Sequence, residues 1–187
     1  MKSQNLKYLV NNSSSKLIAW KDESHFEKTG NGLKKKEIER QEVHEMLTSI
    51  DAGLILEYKS NGAPFTSNSI YTHISISHYG GHYAIYLSNK PVGVDIQVFK
   101  SSLAKGKHYF VNEAEESSIE LSKINLHLIW TAKEAFYKMH SGEIPDLKNE
   151  VSIKKIDESD KSIALNYAHA DFLLNYLIFE NHLLTWT

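Results

Sequence analysis

Two stretches of the chain carry charged side chains whose types and spacing could support chemistry. In the helical pattern WTAKEAFYK, Glu134 and Lys138 are four residues apart, and Lys133 lies about a quarter-turn away. Taken alone, such a row is more often a solvated helix face. However, the short β-branched run PVGVDIQ carries one carboxylate, Asp95, where strand patterning does not require it. The presence of Asp95 therefore favours a functional interpretation of the helix row that contains Glu134.

The periodicity of apolar residues predicts the elements that position these side chains. We expect a helix over residues 124–140, ended by a Ser-Gly pair, and a strand over 92–98. The core face of this helix is expected to consist of Ile129, Ala132, Ala135, Phe136 and Met139. A second amphipathic helix, over residues 34–50, carries Arg40 and His44. The other expected elements are a short helix at 112–121, strands at 6–10, 53–58, 73–77, 84–87, 151–156, 162–169, 172–179 and 182–187, and a second short apolar run that ends at Trp20. A loop is expected over 60–65.

This order of elements predicts an α+β fold with two similar halves, each a small, mainly antiparallel sheet with helices. We place the division between residues 1–90 and 91–187. No residue-level repeat is strong enough to prove a duplication.

Composition excludes several classes of function. The apolar share of 41% and the charged share of 24% are ordinary for a globular protein, and the formal charge of −2 gives no global attraction to nucleic acid or to an anionic membrane. The absence of cysteine excludes disulfides and thiolate metal sites. The first residues lack the apolar core of a signal peptide and no run is long enough to span a membrane, so a cytoplasmic location is expected.

The segment SHYGGH is expected to be the turn of a β-hairpin. A zinc site at His78 and His82 is disfavoured, because a strand and turn do not give the helical i, i+4 geometry and no carboxylate or cysteine is close in sequence. Glycine N–H groups in the turn, with Ser77 and His78, could instead cradle a phosphate.

Three motifs in this order resemble those of the 4′-phosphopantetheinyl transferases, and their two-lobed surfactin-synthetase-activating type in particular. The motifs are Ser77-His78 at the end of a strand, Gly93-x-Asp95, and the Trp-x-x-Lys-Glu-x-x-x-Lys helix. The similarity covers roughly residues 60–142. It implies a pseudo-dimer of two lobes, the first binding coenzyme A and the second holding the metal ligands and catalytic helix, with the active site in the cleft between them.

The resemblance implies Mg²⁺-dependent transfer of phosphopantetheine from coenzyme A to a serine of an acyl or peptidyl carrier protein. The reaction releases adenosine 3′,5′-bisphosphate, and Mg²⁺ suits the pyrophosphate and carboxylate oxygens involved. By resemblance, the metal ligands are Asp95, Gln97 and Glu134. Within a single two-lobed chain such a site can be complete, so a monomer is expected.

The resemblance also implies roles for charged and polar side chains around the coenzyme. Those expected to bind it are Ser77, His78, Arg40, His44, Lys133 and Lys138. The general base corresponds to Glu115, with Glu113 and Glu116 as alternatives one or two positions away. Together with Lys133, Glu134 and Lys138, this glutamate completes the expected catalytic set. Without the resemblance, three glutamates at the start of a helix would indicate only an interaction with the helix dipole.

The chain departs from the family pattern at three positions. Gln97 replaces a glutamate, Ala63 replaces a cationic residue in a Gly-x-Pro loop, and His44 stands where relatives tend to carry an arginine. Arg40 and the lysines 34–36 are alternatives to His44. These changes leave open a catalytically weakened paralogue that binds coenzyme A or a carrier protein without turnover. An unrelated α+β interaction domain is a further alternative. The carrier protein and its pathway do not follow from the sequence.

Overall fold

The computed structural model describes residues 7–187 and shows an α+β fold with several helices and three antiparallel sheets. The predicted α+β class with mainly antiparallel sheets is confirmed. The chain divides into two compact units, of which the first ends at Val92 and the second begins at Gly93. Leu6, expected to open the first strand, lies outside the described residues. Within residues 7–187, none of the helices has the length and apolarity needed to cross a membrane.

The first unit consists of a four-stranded sheet, a separate two-stranded sheet and two helices. The elements are β1 Lys7–Asn11, β2 Ser15–Lys21, α1 His25–Gly30, α2 Lys35–Ile50, β3 Ile55–Tyr58, β4 Pro64–Ser67, β5 His73–Tyr79 and β6 His82–Ser88. The larger sheet has the order β1-β2-β6-β5, and β3 pairs with β4. The hairpin expected around the Gly-Gly turn is present as β5 and β6.

Helix α2 contributes to the core of the first unit through one apolar face. Val43, Met46 and Leu47 pack in the same buried cluster as Tyr83 and Ile85 of β6. This is the face that the apolar spacing predicts for the helix over 34–50, and the helix begins one residue later. Burial of this face, more than capping, holds the helix, because no side chain caps its N-terminus.

The second unit contains one five-stranded sheet with helices. The elements are β7 Val94–Val98, a 3₁₀ helix Ser101–Tyr109, α3 Glu113–Ser118, α4 Lys123–Met139, α5 Leu147–Glu150, β8 Ser152–Asp157, β9 Ser162–Tyr167, β10 Ala170–Phe179 and β11 His182–Trp186. The strand order is β7-β11-β10-β9-β8, and α4 packs against β7 and β11. Of the predicted core face of α4, Ile129, Ala132, Ala135 and Phe136 are inaccessible to solvent and Met139 is half-buried.

Four short elements have no counterpart in the prediction: α1, β4, the 3₁₀ helix and α5. Helix α1 buries His25 while exposing Phe26, so its sequence has no apolar periodicity that could have revealed it. The 3₁₀ helix buries none of its residues. The loop expected over 60–65 overlaps β4, which begins at Pro64 and lies in a two-stranded sheet where proline is tolerated.

Gly93 lets α4 lie directly against the start of β7. A Cβ atom at this position would lie 1.8 Å from the Ala135 carbonyl oxygen and 2.9 Å from the Met139 amide nitrogen. The obstructing atoms belong to the helix backbone, so no side-chain rotation could relieve the clash. Gly93 is further held by Thr187, whose Oγ1 accepts from the Gly93 amide at 2.9 Å. The glycine of the Gly-x-Asp motif is therefore a requirement of packing.

We predict that Gly93→Ala destabilises the protein by about 3 kcal/mol or more, the upper range for overpacking, because the helix or the strand must move. Urea denaturation followed by circular dichroism would measure this change. The matched control is Gly106→Ala, where a Cβ would meet only the Tyr109 ring at 3.8 Å. Equal stability of the two variants would contradict the close-approach explanation.

Candidate functional site

Asp95 faces helix α4 from strand β7. Its partner across the sheet is Thr185 of β11, and partners in register lie on the same face. Thr185 Oγ1 is 2.8 Å from Thr131 Oγ1 of α4, and both threonines are fully buried. This contact fixes which face of the sheet the helix covers. The Asp95 carboxylate therefore points towards the helix that carries Glu134 and Lys138.

The charged side chains of β7 and α4 form one electrostatic cluster. Lys138 Nζ donates to Asp95 Oδ1 at 2.7 Å and to the Val94 carbonyl oxygen at 3.2 Å. Burial and the charge of Asp95 raise the pKa of Glu134 to about 6, while Lys138 opposes the shift. The structure thus brings together Asp95, Glu134 and Lys138, three of the side chains that the motifs single out.

Gln97 adds an acceptor to this cluster. It lies two residues beyond Asp95 on β7 and therefore on the same face, and its register partner Leu183 belongs to the buried core. Gln97 Oε1 is buried and has no hydrogen-bond partner among residues 7–187. A buried amide oxygen without a donor is costly, and a bound cation would satisfy it.

The oxygens of Asp95, Glu134 and Gln97 fit a hard divalent cation. Mg²⁺ prefers carboxylate and amide oxygens, usually binds one or two carboxylates and keeps several waters. Two carboxylates and one amide oxygen match that donor set. The ligands predicted by resemblance thus remain candidates on the chemistry of the residues present.

Lys133 has a different environment from Glu134, its neighbour in sequence. It is fully buried, and its Nζ donates to Glu115 Oε2 at 3.0 Å, to the Phe110 carbonyl at 2.8 Å and to the Lys148 carbonyl at 3.0 Å. All three ammonium hydrogens are therefore used within the protein. Burial lowers the pKa of Lys133, and the charge of Glu115 opposes this shift.

Glu115 is equally enclosed. Its Oε2 accepts from the Asn112 amide at 2.9 Å and its Oε1 accepts from the Ile153 amide at 2.7 Å. The Asn112 side chain in turn accepts from the Glu115 amide, which completes a capping box at the start of α3. Glu115 thus joins the N-terminus of α3, the start of β8 and Lys133. This network was not visible in the sequence.

Glu115, the predicted base, and Lys133, a predicted phosphate contact, are thus buried and paired with each other. Their roles in catalysis stay predictions. Of the two alternatives for the base, Glu113 is exposed, and exposed Glu116 pairs with Lys107. The hydrogen bond and charge of Lys107 lower the pKa of Glu116, which makes it a weaker base.

The first unit contains a cavity of about 470 Å³ beside helix α2. Arg40, His44 and His78, three of the side chains expected to bind coenzyme, lie in its wall. The rest of the wall is largely aliphatic, with further polar groups on α2; it consists of Lys36, Glu39, Val43, Leu47, Thr48, Leu54, Ile55, Leu56, Tyr58 and Ile76. A wall with both cationic and apolar parts suits a ligand that is anionic at one end and flat or apolar at the other.

Ser77 does not line this cavity. Consecutive residues of a strand point to opposite faces, and Ser77 is buried on the face of β5 opposite to His78. The predicted Ser-His pair is thus split by the strand geometry. The neighbouring turn glycines have a structural explanation: Gly80 and Gly81 adopt positive φ angles of 55° and 83°, and a Cβ on Gly81 would lie 2.8 Å from His25 Cβ. The phosphate cradle stays a prediction.

Comparisons with known proteins found no match, either among protein-family models or among curated sequences. The functional assignment therefore depends on the motifs and on the geometry of the two candidate sites.

We predict that Lys133→Met destabilises the protein by about 3–5 kcal/mol, because Glu115 is left buried without its counter-ion. Glu115→Gln should also destabilise the wild type, but should be neutral or stabilising in the Lys133→Met background, where it removes an unpaired buried charge. Thermal and urea unfolding of the four proteins measures this cycle, with exposed Lys154→Met as the control. Additive effects of the two substitutions would contradict the buried ion pair.

Proposed function

We propose that the chain is a Mg²⁺-dependent 4′-phosphopantetheinyl transferase that modifies a serine of an acyl or peptidyl carrier protein. The observation that carries this proposal is the meeting of the Gly-x-Asp strand and the Lys-Glu helix in one cluster, with Lys138 Nζ 2.7 Å from Asp95 Oδ1. Two motifs separated by more than thirty residues in the chain thus contribute to a single charged site. The two-lobed pseudo-dimer, the monomeric state and the cytoplasmic location belong to this proposal as well.

In this proposal Asp95, Glu134 and Gln97 hold the cation. Mg²⁺, when bound, would neutralise charge on the pyrophosphate as the leaving group departs. Lys138 forms an ion pair with Asp95. If a bound cation coordinated the Asp95 carboxylate instead, the Lys138 ammonium group would be available to a phosphate oxygen. The partial burial of Glu134 strengthens its interaction with any cation, because little water competes with it.

The cavity of the first unit is proposed to bind the nucleotide end of coenzyme A. Arg40 and Lys36 supply positive charge, and the aliphatic wall supplies a surface for the base. His44 and His78 add imidazole groups that can donate hydrogen bonds to phosphate oxygens. This arrangement supports the coenzyme-binding role assigned to the first half by resemblance.

One observation favours the weakened paralogue as a second candidate. Glu115 and Lys133 are both fully buried and hydrogen-bonded to each other, so in this arrangement neither can reach a substrate. A protein that binds coenzyme A without transferring phosphopantetheine would be consistent with that enclosure and with the neutral ligand at Gln97.

Intact-mass spectrometry of a panel of apo carrier proteins, incubated with this protein, coenzyme A and Mg²⁺, separates the two candidates. The transferase predicts a gain of one phosphopantetheine that disappears when EDTA replaces the metal. Binding of coenzyme A by calorimetry without any mass gain, beside a working control transferase, would favour the weakened paralogue.

We predict that Glu134→Ala lowers the transfer rate by at least about a hundredfold while the unfolding temperature stays near the wild-type value. Several kcal/mol of transition-state stabilisation depend on a correctly bound cation. The control is Glu143→Ala, an exposed glutamate just beyond α4. Full activity of Glu134→Ala, or loss of its fold, would contradict a metal-binding role.

We also predict that Gln97→Glu increases the affinity for Mg²⁺ by about tenfold, because a third carboxylate adds ligand charge. Isothermal titration calorimetry with Mg²⁺ measures the change. Asn175→Asp, an exposed amide-to-carboxylate change on β10, controls for net charge. Equal affinities of Gln97→Glu and the wild type would place the cation away from β7.

A further inference from the structure

His78 has a buried carboxylate beside it in the wall of the first-unit cavity. Its Nδ1 lies 3.1 Å from Glu39 Oε1, and the Glu39 side chain is only 10% exposed, whereas the His78 side chain is 37% exposed. Lys35 Nζ lies 3.5 Å from the same oxygen. Of these two partners of Glu39, only His78 also lines the cavity. A positive charge on His78, stabilised by Glu39, would therefore lie in the cavity wall.

The contact with Glu39 determines where His78 must carry a proton. A carboxylate oxygen only accepts, so its approach to Nδ1 is favourable only if that nitrogen is protonated. No hydrogen bond of acceptable geometry reaches Glu39 Oε1 within residues 7–187, so the attraction depends on charge more than on alignment. An anion at this distance favours the cationic form of an imidazole.

Glu39 is the single carboxylate among the described residues that line the cavity. On β6, the register partner of His78 is Tyr83, and burial together with the charges of Glu42 and Asp22 raises the pKa of Tyr83, so its hydroxyl stays neutral. The other charged or titratable groups around His78, on α2 and β3, are cations, an imidazole or a phenol: Lys35, Lys36, Arg40, His44 and Tyr58. The three cations oppose a positive charge on His78, so only Glu39 can support it from this wall.

We propose that Glu39 is a positioning residue that keeps His78 protonated, so that the imidazolium binds a phosphate of the coenzyme. This inference rests on the proposed function, in which the cavity binds the nucleotide end of coenzyme A. With a carboxylate at Nδ1 and a phosphate at Nε2, both ring nitrogens must donate, and an imidazole that donates from both is cationic. Glu39 thus supports the binding of an anion although it is itself an anion.

The first test is an NMR titration of the histidine rings in the wild type and in Glu39→Gln, without coenzyme. The ordinary titration midpoint of histidine is about 6.5, and a neighbouring carboxylate shifts it upwards by about one unit. His78 should therefore titrate about one unit lower in Glu39→Gln than in the wild type. His108, an exposed histidine of the second unit, should titrate equally in both proteins. Equal midpoints for His78 would overturn the inference.

The second test is calorimetric binding of coenzyme A at pH 7.5 and at pH 5.5. A decrease of one unit in the His78 midpoint lowers the protonated fraction at pH 7.5 by about fivefold, so Glu39→Gln should bind coenzyme A about fivefold more weakly than the wild type does. At pH 5.5 the ring is protonated in both proteins, and their affinities should agree. Titration of the coenzyme phosphates is the same for both proteins and cancels in the ratio of affinities.

Two further variants control this comparison. Glu37→Gln removes an exposed carboxylate of the same helix, which faces Lys34 at 3.6 Å and lies outside the cavity wall, so its affinities should equal those of the wild type. In the His78→Gln background, Glu39→Gln should no longer weaken binding, because no imidazole is left to protonate.

Equal or tighter binding of coenzyme A by Glu39→Gln at pH 7.5, as simple repulsion between two anions would give, overturns the inference while the proposed function stands. If the folded wild type binds coenzyme A at neither pH, the coenzyme site itself is contradicted, and the inference with it. Circular dichroism and the unfolding temperature establish that each variant is folded before its affinities are compared.

Discussion

The close approach of α4 to β7 is the constraint on which the candidate metal site depends. Because Gly93 has no side chain, the backbone of α4 can occupy the space that a Cβ atom would need. A Cβ at this position would lie only 1.8 Å from the Ala135 carbonyl oxygen. The hydrogen bond between Thr131 and Thr185 then fixes which face of the sheet the helix covers. Together these two contacts bring the strand and helix carboxylates close enough that burial and the charge of Asp95 raise the pKa of Glu134 to about 6. Packing thus creates the electrostatics of the site.

The ion pair between Lys133 and Glu115 has a separate task. It ties α4 to the start of α3 and, through the Ile153 amide, to the start of β8. The lysine and the adjacent Glu134 therefore have different surroundings, the first in a buried ion pair and the second at the candidate site, although they are neighbours in the motif. A buried pair of this kind specifies a packing arrangement more than it stabilises it, since desolvation offsets much of the attraction. For α4, it fixes the helix rotation that turns Glu134 towards β7.

The sequence predicts the long elements well, because their apolar periodicity reflects one buried face. The helix expected over 124–140 is α4, Lys123–Met139, and Ile129, Ala132, Ala135 and Phe136 of its expected core face are buried. Short elements such as α1 escape detection because a six-residue helix that buries only His25 has no periodic signal. The burial of Lys133 could not be predicted either. Its partners, Glu115 and two backbone carbonyls, come from distant parts of the chain, and their convergence depends on tertiary packing.

The same limit applies to the two candidate sites. Motif spacing identified Asp95 and Glu134, but the unsatisfied oxygen of Gln97 and the buried carboxylate of Glu39 are visible only in three dimensions. Strand geometry also separates Ser77 from His78, which the sequence treats as one motif. The residue types could be read from the chain, whereas their accessibility could not.

The most direct test of the account is the position of a divalent cation in crystals of the protein grown with Mn²⁺, located by anomalous diffraction. We expect a single strong peak within coordination distance of the Asp95 and Glu134 carboxylates, with the Gln97 amide oxygen turned towards it. A peak elsewhere, or no peak at a Mn²⁺ concentration that saturates known magnesium-dependent enzymes, would contradict a metal site formed by the strand and the helix together.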